Sequence, residues 1–409
     1  MAYDGKIAEA DLLVADGRIV CVGESPDAPA GTQTVDCTGL LVSPALADVH
    51  VHFREPGFPE KETILTGSKA AAAGGYTVVC PMPNLNPVPD SPENLEKEME
   101  IIRRDAVIDV RPYGSITKGR RGGELVDMAL LKDRCVGFSD DGSGVQESGM
   151  MLKAMRTAAA EGCIIAAHCE DNSLLEGGYI HDGRWCAAHG HKGICSESEW
   201  GQIARDLELC RQTGCRYHVC HISTAESVAL IRKAKAEGVN VTCETAPHYL
   251  VLCEDDLQED GRFKMNPPLR SAADREALIE GLADGTIDII ATDHAPHTAQ
   301  EKSRGLIGSP MGVVGLETSF PVLYTALVRC GRISLERLIK AMSLAPRRIF
   351  SLGGGIVPGQ PADLAIIDLN SKYRIDSNSF LSKGHSTPFD GMEVFSKVVM
   401  TYRNGNRIH

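Results

Sequence analysis

His50 and His52 stand one residue apart at the end of an apolar run, with Asp48 before them and Arg54 after. In a β-strand residues i and i+2 share a face. Both imidazoles therefore leave the same side, where two ring nitrogens can share a metal ion. The same alternation puts Asp48 on that face. Arg54 brings the side chain best shaped to grip a carboxylate through paired hydrogen bonds. Alone, a His-x-His also reads as two stacked histidines in a strand. What shifts the balance is that later strand ends carry more of the same chemistry.

Those ends are Pro81-Met-Pro-Asn84, Ser139-Asp-Asp-Gly142, His168, His221 and Thr292-Asp-His-Ala-Pro-His297. His248 and Lys264-Met-Asn-Pro-Pro268 fall between the last two. Four histidines (His50, His52, His168, His221) and two carboxylates (Asp293 and either Asp140 or Asp141) form a ligand inventory. Imidazole nitrogen with carboxylate oxygen suits zinc best among common divalent ions, with manganese or cobalt tolerated. Six ligands exceed one tetrahedral site. They fit two ions about 3.5–4 Å apart that share a bridging carboxylate.

The elements that must position these residues alternate strand and helix. Strands are expected over Leu41–Val51, Thr77–Cys80, Ile108–Tyr113, Cys135–Phe138, Cys163–His168, Arg216–His221, Asn240–Glu244 and Ile287–Thr292. Amphipathic stretches lie between them: Glu62–Ala73, Pro92–Arg104, Gly149–Glu161, Ser196–Thr213, Thr224–Glu237 and Ala273–Leu282, with Ser334–Leu344 after the last strand. Several open on Ser, Thr or Asp and close on Gly. Eight such strands predict an α/β fold, a (β/α)8 TIM barrel over residues 44–349 whose active site lies at the C-terminal strand ends. Both chain ends read as β: a hairpin of Asp11–Ala15 and Arg18–Gly23 turning at Asp16-Gly17, then Gly359–Leu369 and Val394–Tyr402. A small β-sandwich domain assembled from residues 1–43 and 350–409 is the economical expectation.

Bulk properties narrow the partners. The chain has 409 residues, 43% of them hydrophobic, enough for a large core. A net charge of −13 argues against nucleic acid or an anionic membrane, but an acidic small molecule needs only a local basic group. No apolar stretch reaches membrane-spanning length, and no basic-then-apolar leader pattern opens the sequence. The 14 cysteines are scattered without a Cys-x-x-Cys pair and read as reduced, buried hydrophobes of a cytoplasmic protein. The spacing of Cys210, Cys215 and Cys220 fits no zinc finger or ribbon.

Taken jointly, Asp48-Val-His-Val-His-Phe-Arg-Glu-Pro-Gly57, Pro81-Met-Pro-Asn84, Phe138-Ser-Asp-Asp-Gly142, Lys264-Met-Asn-Pro-Pro-Leu-Arg270 and Ala291-Thr-Asp-His-Ala-Pro-His297 resemble the amidohydrolase superfamily. Within it they resemble the class I dihydroorotases. Ala345-Pro-Arg-Arg-Ile-Phe350 and Gly359-Gln-Pro-Ala-Asp-Leu364 extend the likeness to the end of the chain. The resemblance implies reversible cyclisation of N-carbamoyl-L-aspartate to dihydroorotate, the third step of pyrimidine synthesis, with two Zn2+ per subunit. It assigns His50, His52 and Asp293 to one ion, His168 and His221 to the other, and Asp141 to the bridge, in place of the carboxylated lysine of many relatives. A hydroxide between the ions would attack the ring carbonyl, and Asp293 would carry its proton to the leaving nitrogen. His52, Arg54, Asn84, Asn266, His297 and the backbone at Met311 and Gly312 would bind substrate. The resemblance favours a homodimer and allows association with aspartate carbamoyltransferase.

The remaining candidates read more plainly. His248 reads as a supporting residue, and His181, His189 and His191 as loop surface. Cys169 and Cys220 should point away from the neighbouring ligands into packing. Thr298–Gly312 reads as a lid over the site. The loop Trp185–Ser196 matches no family pattern. A hydantoinase or allantoinase would use the same metals on a ring without a free carboxylate, leaving Arg54 no evident partner. A non-catalytic scaffold would be expected to have lost ligands, and this chain keeps all six.

Overall fold

Leu46–Val51 and Tyr76–Pro81 are buried at every position, the pattern of parallel strands covered on both faces. In the computed structural model, which describes residues 1–3, 5–24 and 26–409, these strands and Asp109–Val110 form a three-stranded parallel sheet. A second parallel sheet has the order Ile289–Ile290, Val241–Thr245, Arg216–Val219, Ile164–Ala167. Parallel bridges join the sheets at both margins: Val51 to His294 on one side, and Gly114 to Phe138 to Ile165 on the other. Helices Ser148–Glu161, Glu197–Thr213, Ala225–Ala236 and Ala272–Asp284 pack side by side in chain order.

The helices begin where short polar side chains satisfy free N–H groups. Thr63, Ser91, Thr224 and Ser271 each accept from a backbone N–H three residues on. Gly162, Gly214 and Gly285 close three helices with positive φ.

Leu41–Val51 is not one strand. It divides at Ala45, whose carbonyl accepts from Ser343 Oγ at 2.7 Å and Arg347 Nη2 at 3.2 Å. Leu41–Pro44 pairs antiparallel with Leu364–Arg374, which pairs with Glu393–Arg403, while Leu46–Val51 joins the parallel sheet. The hairpin Asp11–Ala15 with Arg18–Gly23 forms where expected. Ile19, Val42, Ile356, Ala362, Leu364 and Ile366 share a separate apolar core built from both chain ends.

Three expected strands shrink. Pro112, which lacks an N–H, follows the two-residue strand Asp109–Val110. Cys135–Phe138 contributes only bridges at Phe138. Ile287–Thr292 keeps only Ile289–Ile290, because the Thr292 N–H turns to the Asp48 carboxylate instead of a sheet neighbour. After Leu335–Ile339 the helix widens over Lys340–Leu344 and resumes at Ala345–Ile349. No helix among the described residues is long and apolar enough to cross a membrane.

Candidate active site

The strand ends bring His50, His52, Asp141, His168, His221 and Asp293 together, none of them more than 6% exposed. They converge on Asp141. Its Oδ1 lies 3.3 Å from His50 Nε2, 3.6 Å from His168 Nδ1 and 3.4 Å from His221 Nε2, and its Oδ2 lies 3.5 Å from His52 Nε2. Asp293 Oδ1 lies 3.1 Å from His52 Nε2 and 3.6 Å from His50 Nε2. His168 Nδ1 and His221 Nε2 are 2.9 Å apart. Asp140 faces elsewhere: its carboxylate accepts the N–H groups of Ile116 (2.8 Å) and Thr117 (3.1 Å) and the Thr117 hydroxyl.

Hydrogen bonds behind the rings decide which nitrogens face inward. Glu244 accepts from His50 Nδ1 at 2.6 Å, and Asn84 Oδ1 accepts from His52 Nδ1 at 2.8 Å. With the proton on Nδ1, each Nε2 presents a lone pair to the carboxylates of Asp141 and Asp293. Acceptor facing acceptor in a buried site calls for a cation between them. His50 Nε2 and His168 Nε2 are fully covered and have no hydrogen-bond partner. The ligand atoms of His50, His52 and Asp293, and those of His50, Asp141 and His221, lie within 4.8 Å of one another in each group. This nitrogen and oxygen donor set fits divalent ions of the zinc type.

Charge follows the same plan. Burial alone would raise the Asp141 carboxyl, but His50, His168 and His221 hold it well below the usual range. Burial is likewise outweighed at Asp293, where His52 and His50 lower it, and at Glu244, where His50 and His218 do so. Arg54, His221 and Asp293 adopt φ of 60°, 32° and 48°, a region that costs non-glycine residues energy and gathers at working sites.

The substrate-binding candidates line the same space. Arg54 is 9% exposed. Its Nε donates to Pro296 O at 3.2 Å, and among the described residues no carboxylate forms an ion pair with it. Burial lowers its pKa to about 10. Because Asn84 Oδ1 faces His52, its Nδ2 is left as a donor. His297 Nε2 donates to Met311 O at 2.8 Å, while Nδ1 accepts from Lys61 Nζ at 3.3 Å. Burial, Arg54 and Lys61 push its pKa down to about 3, so the ring is neutral. Asn266 Nδ2 donates to Glu170 Oε1 at 2.9 Å. Lys302 holds the backbone here: its Nζ donates to the carbonyls of Lys264 (3.1 Å), Pro310 (3.0 Å) and Gly312 (2.7 Å). The segment Thr298–Gly312 contains two short helices, Ala299–Lys302 and Gly305–Gly308.

Several expectations need correction. Asp48 does not face the cluster; it accepts from His50 N at 3.0 Å and Thr292 N at 3.1 Å, pinning two strand ends together. Cys220 does not point away, since its sulfur groups with His50 and Glu244. The strand has ended at Val219 and His221 has positive φ, so alternation no longer holds there. Cys169 does pack away, against Tyr217 Oη at 3.2 Å. Of the three loop histidines only His189 is exposed. His181 accepts from Arg270 Nη1 at 3.3 Å in the interior. His191 is covered by Trp185 and bonded to Tyr179 and Glu259, each at 2.7 Å. His248 is buried, its pKa lowered to about 4 by burial. Sequence reasoning misses Glu244 and Glu170. Glu244 carries one signal, its place at the end of a predicted strand level with the ligands.

Residues 39–227 match the family model described as Dihydro-orotase-like. A dihydroorotase of Bacillus cereus (strain AH820) is 50% identical over 408 residues, covering 99% of this chain and 95% of that protein. A dihydroorotase of Ligilactobacillus salivarius (strain UCC118) is 49% identical over 411 residues, covering 99% and 96%. Among solved structures, an L-hydantoinase (dihydropyrimidinase) from Arthrobacter aurescens superposes with a TM-score of 0.89 at 29% identity, covering 98% of this chain and 92% of that one. A dihydropyrimidinase from Brevibacillus agri superposes with a TM-score of 0.85 at 23% identity, covering 98% and 91%.

Proposed function

This chain belongs to the dihydroorotase family, and from that premise we propose that it interconverts N-carbamoyl-L-aspartate and dihydroorotate in pyrimidine synthesis. The observation that carries the choice of substrate is Arg54, a buried guanidinium beside the ligand cluster with no ion-pair partner of its own among the described residues. A buried cation with no directly bonded counter-charge is costly, even with the Asp293 and Asp141 carboxylates nearby. The free carboxylate of dihydroorotate supplies one, and a hydantoin ring does not. The likeness to hydantoinases at 23–29% identity speaks to fold, whereas the dihydroorotases share about half of all positions.

The ring of parallel pairings supports reading the fold as a (β/α)8 barrel over residues 44–349, with the antiparallel sheet as a small domain from 1–43 and 350–409. In this reading His50, His52 and Asp293 would hold one divalent ion, His168 and His221 would hold a second, and Asp141, which faces both sets, would serve both. Zinc is the metal best matched to these donors. When bound, such a pair of ions activates water at neutral pH and polarises the carbonyl under attack.

The chain's own residues do the rest. Arg54 and Asn84 bind the substrate carboxylate, joined by His297 once its N–H leaves Met311. Asn266 and the backbone at Met311 and Gly312 hold the ring. In ring opening, water adds to the carbonyl carbon, the C–N bond breaks, and Asp293 takes the proton from water and returns it to the leaving nitrogen. Closure runs the same path backwards. The protein would act in the cytoplasm as a homodimer, with aspartate carbamoyltransferase as a candidate partner. Purified protein loaded with zinc should form dihydroorotate from carbamoyl aspartate. Failure to do so, with hydrolysis of hydantoin instead, would overturn the assignment.

A further inference from the structure

Asn266 presents a half-used amide. Its Nδ2 donates to Glu170 Oε1 at 2.9 Å, while its Oδ1 is fully covered and has no partner. A carboxylate only accepts hydrogen bonds, so Glu170 fixes which way this amide is turned. Glu170 is itself held in place. Its N–H donates to Gln202 Oε1 at 2.6 Å and its carbonyl accepts from Gln146 Nε2 at 2.9 Å. Its other oxygen, Oε2, lies 3.5 Å from His168 Nε2, so the pair stands directly beside the ligand cluster. On the far side, Tyr249 Oη donates to Pro267 O at 2.6 Å, anchoring the backbone next to Asn266.

A buried acceptor without a donor is unfavourable unless a ligand supplies one. We infer that Glu170 is a positioning residue that orients Asn266 so that Oδ1 accepts an N–H of the bound ureide. This rests on the reading of the site as a dihydroorotase and adds a specificity element to it. The ligand class is a cyclic ureide with a free ring N–H on the side away from the carboxylate clamp of Arg54. Turned the other way, the Asn266 amide would present donors to that N–H and repel it.

The test compares wild type, Glu170→Leu and Glu170→Gln with dihydroorotate and its N1-methyl and N3-methyl derivatives, with metal content measured for each protein. Glutamine keeps an oxygen to accept from Asn266 Nδ2; leucine does not. Wild type should discriminate against the N3-methyl derivative, whose blocked nitrogen is the one remote from the carboxylate, by at least about tenfold in kcat/KM. Glu170→Leu should raise KM for dihydroorotate and shrink that discrimination to within about twofold, with both ions retained, and Glu170→Gln should restore most of it. Unchanged discrimination in Glu170→Leu would overturn the proposal, as would wild type that accepts both derivatives equally. Loss of an ion in Glu170→Leu would also overturn it, by assigning Glu170 to His168 instead. Wild type inactive on dihydroorotate itself would instead overturn the underlying function.

Discussion

Glu244 accepts a 2.6 Å hydrogen bond from His50 Nδ1, and that contact determines that His50 turns its Nε2 toward Asp141. Glu244 also lies 3.1 Å from His218 Nε2, so it is anchored from behind. A carboxylate behind a ligand imidazole fixes the ring and raises its basicity. Glu244→Gln should therefore weaken metal retention by about 10–100-fold while the fold persists. Titration with a chelator, followed by metal analysis, checks it; wild-type retention would contradict the role.

Asp141 and Asp140 are adjacent in sequence but opposite in task. Asp141 offers one oxygen toward His50, His168 and His221 and the other toward His52. Asp140 closes the turn at Ile116 and Thr117. Asp141→Ala should lose at least one ion and nearly all activity, and activity of the wild type should need no bicarbonate. Asp140→Asn should keep both ions and cost about 1–3 kcal/mol of stability from weakened buried hydrogen bonds. The reverse pattern in metal content and thermal melts would exchange the two assignments.

How much of the fold and the site is legible in the sequence depends on the kind of residue. The six candidate ligands are readable because a metal site needs side chains that are rare in strands, and here they recur at several strand ends. Glu244 is not, because a single glutamate closing a strand has no pattern; its meaning comes from His50, far away in sequence. Choosing between Asp140 and Asp141 on physical grounds needs the fold as well, since both are buried and only their hydrogen bonds distinguish them. The strands at Asp109–Val110 and Phe138 are shorter than expected because apolar composition does not reveal where a proline or a turn interrupts pairing.

The Asp293 carboxyl is held below its ordinary pKa because His52 and His50 outweigh its burial. The proton-carrying role proposed for it fixes the sign of the pH dependence. Ring opening begins with the ionised carboxylate, so titration of Asp293 should make its rate rise with pH only in the acid range, below the ordinary carboxylate pKa. Ring closure begins with the protonated form and should fall over the same range. Initial rates measured in both directions across that range decide it; parallel profiles would exclude Asp293 as the shuttle.

Lys302 is 5% exposed and donates to the carbonyl of Lys264, outside the Thr298–Gly312 segment, and to those of Pro310 and Gly312 within it. Burial, with Lys264 nearby, lowers its pKa from 10.5 to about 7. Between those values the unfolded chain binds a proton that the folded chain does not, so stability rises with pH across this window. Wild type should therefore gain on Lys302→Met by about 1–3 kcal/mol from pH 7 to 10, read from denaturant melts at each pH. The substitution should also raise KM about tenfold, by releasing Gly312 and the Lys264–Asn266 segment, with metal content unchanged. Flat melts would show that Lys302 keeps its proton in the fold, and an unaltered KM would show that it does not hold the Thr298–Gly312 segment.

Arg54 follows the candidate metal ligand His52 by two residues and, with φ of 60°, turns its guanidinium back toward Pro296 and His297. That turn explains how a side chain next to the ions can reach a carboxylate on the substrate. Asn84 links the two functions, accepting from His52 Nδ1 with its oxygen and leaving its amide N–H groups for the same carboxylate. Removing one partner of a buried charge pair typically costs about 2–5 kcal/mol. Arg54→Met should thus keep both ions yet lose on the order of 10²-fold or more in kcat/KM for carbamoyl aspartate. Any residual activity on uncharged cyclic ureides should fall far less, because those ring-opening reactions never used the guanidinium. Metal analysis with parallel assays on dihydroorotate and dihydrouracil separates the effects. An equal loss on both substrates would mean that Arg54 supports the site as a whole, and the preference for a carboxylated ring would then need another source.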